Sequence, residues 1–175
     1  YWVGEWTLAG FLLAREVHGI SLLELNRAYL KTLNTISVNK QTNNYNNYVM
    51  KTIINTTKAP APIGPYNQAT LVGNTLYTSG QIALHPETME LVLDDIQTET
   101  KQVMENMKAV LEAADMTFEN VVKTSIFISD MNNFSKINEV YGTYFNPDTA
   151  PARETVEVAN LPKFVNVEIS MIAVK

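Results

Sequence analysis

The stretch Asn106–Tyr141, NMKAVLEAADMTFENVVKTSIFISDMNNFSKINEVY, decides the fold. Its first part continues an apolar pattern at helical spacing that begins at Ile96, which predicts one long helix. Its middle part, VVKTSIFISDM from Val121, is β-branched and aromatic without a glycine or proline. It predicts a strand, and its nearly continuous apolarity is typical of a strand covered on both faces. The last part predicts a second helix, which ends before Pro147 because the residue preceding a proline is pushed out of helical backbone.

Five further strands flank this helix, strand and helix. They are predicted at Thr52–Ile54, Thr70–Val72, Thr75–Ser79, Glu154–Val158 and Val165–Val174. Gly73 and Asn74 join the second and third strands as a two-residue hairpin, because both residues tolerate positive φ. The resulting order, β-β-β-α-β-α-β-β, predicts an α+β domain with two helices packed on one face of a mixed sheet.

Length and composition restrict the function. The 175 residues, 46% hydrophobic and 18% charged, suit one domain with a core of its own. A net charge of -5 without any basic run argues against a nucleic-acid partner. The chain has no cysteine and only two histidines, which excludes disulfides, thiol nucleophiles and a histidine metal site. We therefore expect a soluble, cytoplasmic protein without a metal or organic cofactor, and an organelle stays open as an alternative compartment.

The chain divides by composition near residue 50, after the Asn/Tyr cluster KQTNNYNNYVM. Residues 1–49 hold four basic and three acidic side chains, a net of +1, so residues 50–175 carry -6. The first segment has an amphipathic helical pattern that includes Leu23 and Tyr29, and its acidic residues suit neither a secretory signal nor a transit peptide. We expect an N-terminal extension at 1–49, either upstream or vector-derived sequence or a genuine appended helix, and the patterned domain at 50–175.

Two charged residues are candidates for chemistry. In the last strand, Glu168 shares a face with residues that become apolar toward the chain end, so we expect it to be partly buried. An exposed strand glutamate is the ordinary alternative. Arg153 lies at the entrance to the preceding strand, where its planar guanidinium suits bidentate binding of a carboxylate. An exposed loop arginine is again the ordinary alternative.

Further candidates are weaker taken singly. Tyr66 sits in a Gly-Pro loop, where an aromatic ring could also seal the edge of the core. Ser79 and Gly80, in TSGQI, could offer backbone N–H groups or form a bulged strand. Asn138 lies on the second helix, where a solvent-facing amide is common.

Four separated motifs carry a family resemblance: APAPIGPYNQA, LYTSGQIALHPETMEL, the stretch quoted first, and APARETVEVANLPKFVNVEISMIAV. In order and spacing they resemble the RidA (YjgF) family of reactive-intermediate deaminases, from about Met50 to the end of the chain. Residues 1–49 have no counterpart in the usual extent of that family.

The resemblance implies a chorismate-mutase-like fold assembled as a homotrimer, with active sites in clefts between subunits. It implies hydrolysis of 2-imino acids and their enamine tautomers, such as 2-aminoacrylate and 2-iminobutanoate, which pyridoxal-phosphate enzymes release, to 2-keto acids and ammonia. Matched motif to motif, Arg153 pairs with the substrate carboxylate and Glu168 positions or activates the attacking water. The remaining pocket residues that the resemblance implies are Tyr66, Ser79, Gly80, Asn138 and Thr155.

This chemistry needs little beyond orientation and a base, because a protonated imine is already electrophilic. Thr155 stands where many members carry cysteine, which rules out thiol chemistry here, and we expect the hydrolysis to survive the change. Glu154 raises a concern, since an acid beside Arg153 could compete for the guanidinium, although strand alternation points it away.

Three other functions compete with the deaminase. A trimer that only binds keto acids or other small carboxylates would need Arg153 but not a second acid such as Glu168. A ribonuclease or translation inhibitor, as some members have been described, is disfavoured by the net charge of the patterned domain. A chaperone-like role has no specific support in the sequence.

Overall fold

The computed structural model describes residues 23, 24, 27, 29–31 and 50–175 of the chain. By their internal contacts, Tyr1–Tyr48 and Val49–Lys175 form separate units. The described residues of the first unit are helical, including Leu23 and Tyr29 of the predicted amphipathic helix. The rest of that predicted helix, and the Asn/Tyr cluster, lie outside the described residues. The interpretation of residues 1–49 as an extension stays a prediction.

The second unit contains the predicted elements in the predicted order. They are β1 Lys51–Ile54, β2 Ala69–Val72, β3 Thr75–Thr78, α1 Ile96–Glu112, β4 Val121–Ile128, α2 Phe134–Gly142, β5 Ala152–Glu157 and β6 Val167–Val174. Short 3₁₀ turns precede β4, α2 and β6. In the β2–β3 hairpin, Gly73 takes a positive φ of 60° and Asn74, which would also tolerate one, does not.

The strands form one mixed sheet in the order β1-β2-β3-β6-β4-β5. β4 and β5 run parallel, and the other neighbouring strands are antiparallel. In the register, Thr124 of β4 pairs with Arg153 of β5 and with Met171 of β6, while Phe127 pairs with Glu168. The mixed α+β architecture predicted from the sequence is confirmed.

The hydrophobic core lies between the sheet and the two helices. Alternate residues of β6 from Val167 to Ala173 are buried there, and the residues between them, including Glu168, are half-buried on the other face. β4 alternates in the same way, so within residues 50–175 it is not covered on both faces as its apolar sequence suggests. The reason is that both helices of the second unit pack on one side of the sheet, and no helix of this unit covers the second side, which we call the open face.

Two boundaries differ from the sequence prediction in ways that matter for the site. β5 begins at Ala152, so Arg153 lies inside a strand and not in a loop before it. α2 ends at Gly142, before Pro147, because its last turn tightens into i to i-3 hydrogen bonds such as Tyr144 N to Tyr141 O, 3.1 Å.

Candidate active site

Arg153 lies on the helix-covered face of the sheet, because it pairs with the buried Thr124 of β4. Its Nη1 donates a hydrogen bond to Oδ1 of Asn138 on α2, with 2.7 Å between the two atoms. The structure therefore brings together two residues that the sequence singled out separately. Thr155 follows two positions later on β5 and faces the same side of the sheet.

Two aromatic rings flank the Arg153 guanidinium. Its Cζ atom lies 5.0 Å from the centroid of the Tyr141 ring and 5.7 Å from that of Phe134. Tyr141 is almost fully buried and its hydroxyl donates to Oγ1 of Thr124 at 3.1 Å. Burial raises the pKa of Tyr141, and the Thr124 hydroxyl and the charge of Arg153 oppose that shift.

Sequence reasoning missed these rings because both belong to the apolar stripe of α2. The missed signal was their spacing about a polar residue: Phe134 lies four positions before Asn138 and Tyr141 three positions after it. All three residues therefore share one face of the helix.

Glu154 lies on the opposite face from Arg153. Its carboxyl oxygens accept short hydrogen bonds from Lys123 Nζ and Ser125 Oγ on β4, and the hydrogen bond from Lys123 is the main cause that lowers its pKa. This arrangement removes the concern that Glu154 competes for the guanidinium.

Glu168 lies on the open face of β6, opposite Phe127. Its side chain is half-buried, and burial raises the pKa of its carboxyl group. Within residues 50–175, no side chain or backbone group donates a hydrogen bond to that carboxyl group.

Gly80 lies directly beneath the Glu168 side chain. A Cβ atom at this position would overlap Oε1 of Glu168 and lie 2.7 Å from its Cδ. The adjoining Gln81 forms a two-way bridge with Ile169 of β6, with N to O distances of 2.8 and 3.1 Å. The close approach therefore requires glycine, because the carboxyl group occupies the volume of a side chain.

Tyr66 and Gly80 line one small cavity, together with apolar residues such as Ile82. Tyr66 is exposed, and its hydroxyl accepts a hydrogen bond from the Ile63 N–H at 3.3 Å. The Ser79 hydroxyl donates to the carbonyl of Asn67 at 2.6 Å, so in this structure it holds the Tyr66 loop against the end of β3.

A buried acid fixes the beginning of β6. Glu99, in the first turn of α1, is 1% exposed and its carboxyl oxygens accept from Asn166 N, Asn166 Nδ2 and Val167 N at 2.7, 2.9 and 3.3 Å. An acid in the first turn of a helix is also favoured by the helix dipole. The structure adds that Glu99 holds the residues immediately before Glu168.

The candidate residues thus form two clusters on opposite faces of the sheet. The first, which we call the arginine cluster, consists of Arg153, Asn138, Phe134 and Tyr141. The second, the glutamate cluster, consists of Glu168, Gly80 and Tyr66. From the strand register, the Cα atoms of Arg153 and Glu168 are about 14 Å apart, with the sheet between their side chains. One small molecule cannot contact both side chains within a single chain.

Among the described residues, no group of three His, Asp or Glu side chains is placed to hold a metal ion. No helix in that part of the chain is both long and apolar enough to cross a bilayer.

Comparison with known proteins identifies the family. The family model described as Endoribonuclease L-PSP matches residues 56–175. A RutC family protein from Synechocystis is 53% identical over 123 residues, which are 70% of this chain and 95% of that protein. The chain belongs to the RidA (YjgF) family. This confirms the resemblance read from the four sequence motifs.

Other RidA relatives carry more specific descriptions. The 2-iminobutanoate/2-iminopropanoate deaminase of Mus musculus is 46% identical over 127 residues, 73% of this chain and 93% of the mouse protein. The crystal structure of E. coli TdcF with bound serine has a TM-score of 0.67 and 43% identity, and the match covers 71% of this chain and 98% of TdcF.

Proposed function

We propose that this chain hydrolyses 2-imino acids and their enamine tautomers, such as 2-iminobutanoate and 2-aminoacrylate, to 2-keto acids and ammonia. Its substrates would be intermediates released by pyridoxal-phosphate enzymes. Membership of the RidA family, the similarity to the mouse deaminase and the serine bound to TdcF support this proposal. The observation that carries it is the pair of functional groups: Arg153, held by neutral side chains, and the half-buried Glu168, to which no group of residues 50–175 donates a hydrogen bond.

Arg153 is proposed to bind the substrate carboxylate. One of its N–H groups is used by Asn138, and the remaining donors of the planar guanidinium suit the two oxygens of a carboxylate. Charge-assisted bonds of this kind fix the position of the imine carbon relative to the base. Thr155, on the same face, would contact the bound substrate through its hydroxyl or backbone.

Glu168 is proposed to be the general base. It removes a proton from water as the water oxygen forms a bond to the imine carbon, which gives a tetrahedral carbinolamine. The same carboxyl group returns the proton to the nitrogen. As the C–N bond breaks, the Glu168 carboxylate takes the proton of the carbinolamine hydroxyl, so that the C=O bond of the keto acid forms, and then passes that proton to the departing ammonia. Burial raises the pKa of Glu168, which brings the strength of this base closer to the value that proton transfer near neutral pH favours.

We further propose that each active site forms between two subunits of a homotrimer, with Arg153 from one subunit and Glu168 from its neighbour. The separation of the two clusters by the sheet supports this arrangement. So does the open face, which carries apolar side chains such as Tyr77, Phe127 and Ile172. In such a cleft, Tyr66, Ser79 and Gly80 would lie on the same side as Glu168.

A coupled assay tests the activity. Threonine dehydratase generates 2-iminobutanoate, semicarbazide traps it as a competing path, and keto-acid formation is followed with and without this protein. We expect wild type to accelerate keto-acid formation, and Arg153→Ala and Glu168→Gln to abolish the acceleration. Glu157→Gln, a strand carboxyl outside both clusters, is the matched control. If wild type binds 2-ketobutanoate but does not accelerate keto-acid formation, the protein is a carboxylate-binding module and not a deaminase.

Subunit mixing tests the location of the site. Arg153→Ala and Glu168→Gln chains are unfolded together and refolded as a mixture. The mixture should recover about a quarter of wild-type activity, because random assembly places an intact Arg153 beside an intact Glu168 in about one cleft in four. A site contained within one chain predicts no recovery at all.

A further inference from the structure

We propose that Tyr141 is a positioning residue for Arg153, and that its ring, together with that of Phe134, orients the guanidinium toward an incoming carboxylate. This inference rests on the proposed function, since it concerns how the substrate anchor is held. Neither ring is among the site residues that the sequence or the family resemblance supplied.

The contacts form a closed ring of interactions. Arg153 pairs with Thr124 between neighbouring strands, and the Thr124 hydroxyl accepts a hydrogen bond from the Tyr141 hydroxyl. The centroid of the Tyr141 ring in turn lies 5.0 Å from Arg153 Cζ. Thr124 is fully buried and Tyr141 is 5% exposed, so neither can move without disturbing the core. Asn138, on the turn of α2 before Tyr141, fixes Nη1 from a second direction.

The chemistry of these partners points to an anion as the occupant. The contacts of the Arg153 guanidinium in the described chain are an amide oxygen and two aromatic rings, all of them neutral. The ion pair formed within residues 50–175 joins Lys123 to Glu154 on the other face. The positive charge of Arg153 is therefore not compensated by a carboxylate of residues 50–175, in spite of the adjacent Glu154.

The position of the two rings also reduces the entropic cost of binding the substrate carboxylate. A free arginine side chain has many rotamers, and ordering it when substrate arrives lowers affinity. Aromatic rings attract the guanidinium through their π faces, which leaves the N–H groups at its edge for hydrogen bonds. The rings thus order the arginine before substrate binds and leave its donors free.

The test compares ring removal with hydroxyl removal. Tyr141→Leu should raise KM for 2-iminobutanoate, and Kd for 2-ketobutanoate by calorimetry, by about 3- to 30-fold, the range typical of a cation–π contact. Tyr141→Phe keeps the ring and should restore both constants to within about threefold of wild type. kcat should change little in either variant, because Tyr141 does not touch the reacting atoms.

Two further variants distinguish a specific loss of binding from a general loss of folding. Tyr144→Leu makes the same substitution on the segment directly after α2, at a ring that contacts Phe118 and not Arg153, and should leave KM unchanged. Phe134→Leu removes the more exposed ring, at 37% exposure, and should weaken keto-acid binding without unfolding the chain.

Equal losses of keto-acid affinity in Tyr141→Leu and Tyr144→Leu, in step with their thermal stability, would overturn the proposal. So would an unchanged Kd in both Tyr141→Leu and Phe134→Leu when they are folded. The calorimetric measurement does not depend on turnover. If wild type binds the keto acid but does not hydrolyse the imine, the proposed deaminase activity is wrong. The effect of Tyr141 on keto-acid binding can still be measured in that case.

Discussion

The two faces of the sheet treat their functional charges in opposite ways. On the helix-covered face, Arg153 is hydrogen-bonded to Asn138 and flanked by two rings. On the open face, Glu168 is half-buried and receives no hydrogen bond from the described residues, so burial raises its pKa. A group that anchors a ligand benefits from fixed partners, whereas a group that moves a proton benefits from having none. The difference suits the roles proposed for the two residues.

Glu99 makes the same point with a second glutamate. Glu99 contacts the beginning of β6 and Glu168 lies within β6, yet Glu99 accepts three hydrogen bonds while Glu168 accepts none from the described residues. The same type of side chain therefore holds a strand at one position, and at the other it has no donor among the described residues, which suits the role proposed for Glu168. The number of donors that the fold supplies makes the difference.

The largest effect should come from the structural glutamate. Glu99→Ala removes the acceptor of the partly buried N–H groups of Asn166 and of the buried N–H of Val167, and should lower the free energy of unfolding by about 3 kcal/mol. Chemical denaturation measures this loss. Glu112→Ala, at the exposed end of the same helix, is the control and should cost far less. Equal losses in the two variants would contradict a structural role for Glu99.

The next effect concerns the contact between Gly80 and Glu168, the proposed base. Gly80→Ala forces the Glu168 carboxyl group from its position, and should lower kcat/KM by about 100-fold, since displacement of a catalytic group by about 1 Å has a cost of that order. Gly142→Ala serves as the matched control, because nothing lies within 4 Å of the added Cβ there. Wild-type kinetics in Gly80→Ala would show that the placement of Glu168 is unimportant.

The pH dependence of stability should differ in sign between Glu168 and Glu154, two acids on the open face of the sheet. The pKa of Glu168 is raised above 4.5, so its stabilising contribution is complete below pH 4.5 and is lost as the pH rises through the folded-state pKa. Glu168→Gln should therefore match wild type at low pH and gain stability relative to it as the pH rises.

Glu154 should show the opposite trend. Its pKa is lowered from 4.5 by Lys123, so its contribution is present above pH 4.5 and is lost as the pH falls through the folded-state pKa. Thermal unfolding of wild type, Glu168→Gln and Glu154→Gln between pH 3 and 7 would measure both trends. If the stability differences of Glu168→Gln and Glu154→Gln from wild type changed with pH in the same direction, the proposed contrast between the two acids would be wrong.

The smallest effect is expected for catalysis in Glu154→Gln. Its carboxyl group contacts Lys123 and Ser125 on the face opposite Arg153, so KM for 2-iminobutanoate should stay at the wild-type value. A fall in KM would mean that Glu154 does withdraw the guanidinium from the substrate, against the geometry.

Much of the fold follows from local patterns. The elements of the second unit were predicted in the right order, because strand and helix periodicities are properties of neighbouring residues. The boundaries at β5 and α2 were less accurate, since strand pairing with β4 and a tightened last turn set them. Among the site residues, the partnership of Arg153 with Asn138 could not be read from spacing, because it joins a strand to a helix.

The sequence by itself determined which helices and strands make up the α+β domain and in what order, the family to which the chain belongs and the chemical types of its candidate residues. Only the tertiary structure decided that Arg153 and Glu168 lie on opposite faces, that two core aromatics flank the arginine, and that Glu99 and Glu168 differ in their hydrogen-bond donors. The physical reason is that alternation tells which residues of one strand share a face. Alternation does not tell which side chains of other elements contact each face. That depends on the register between strands and on the helix that covers one face.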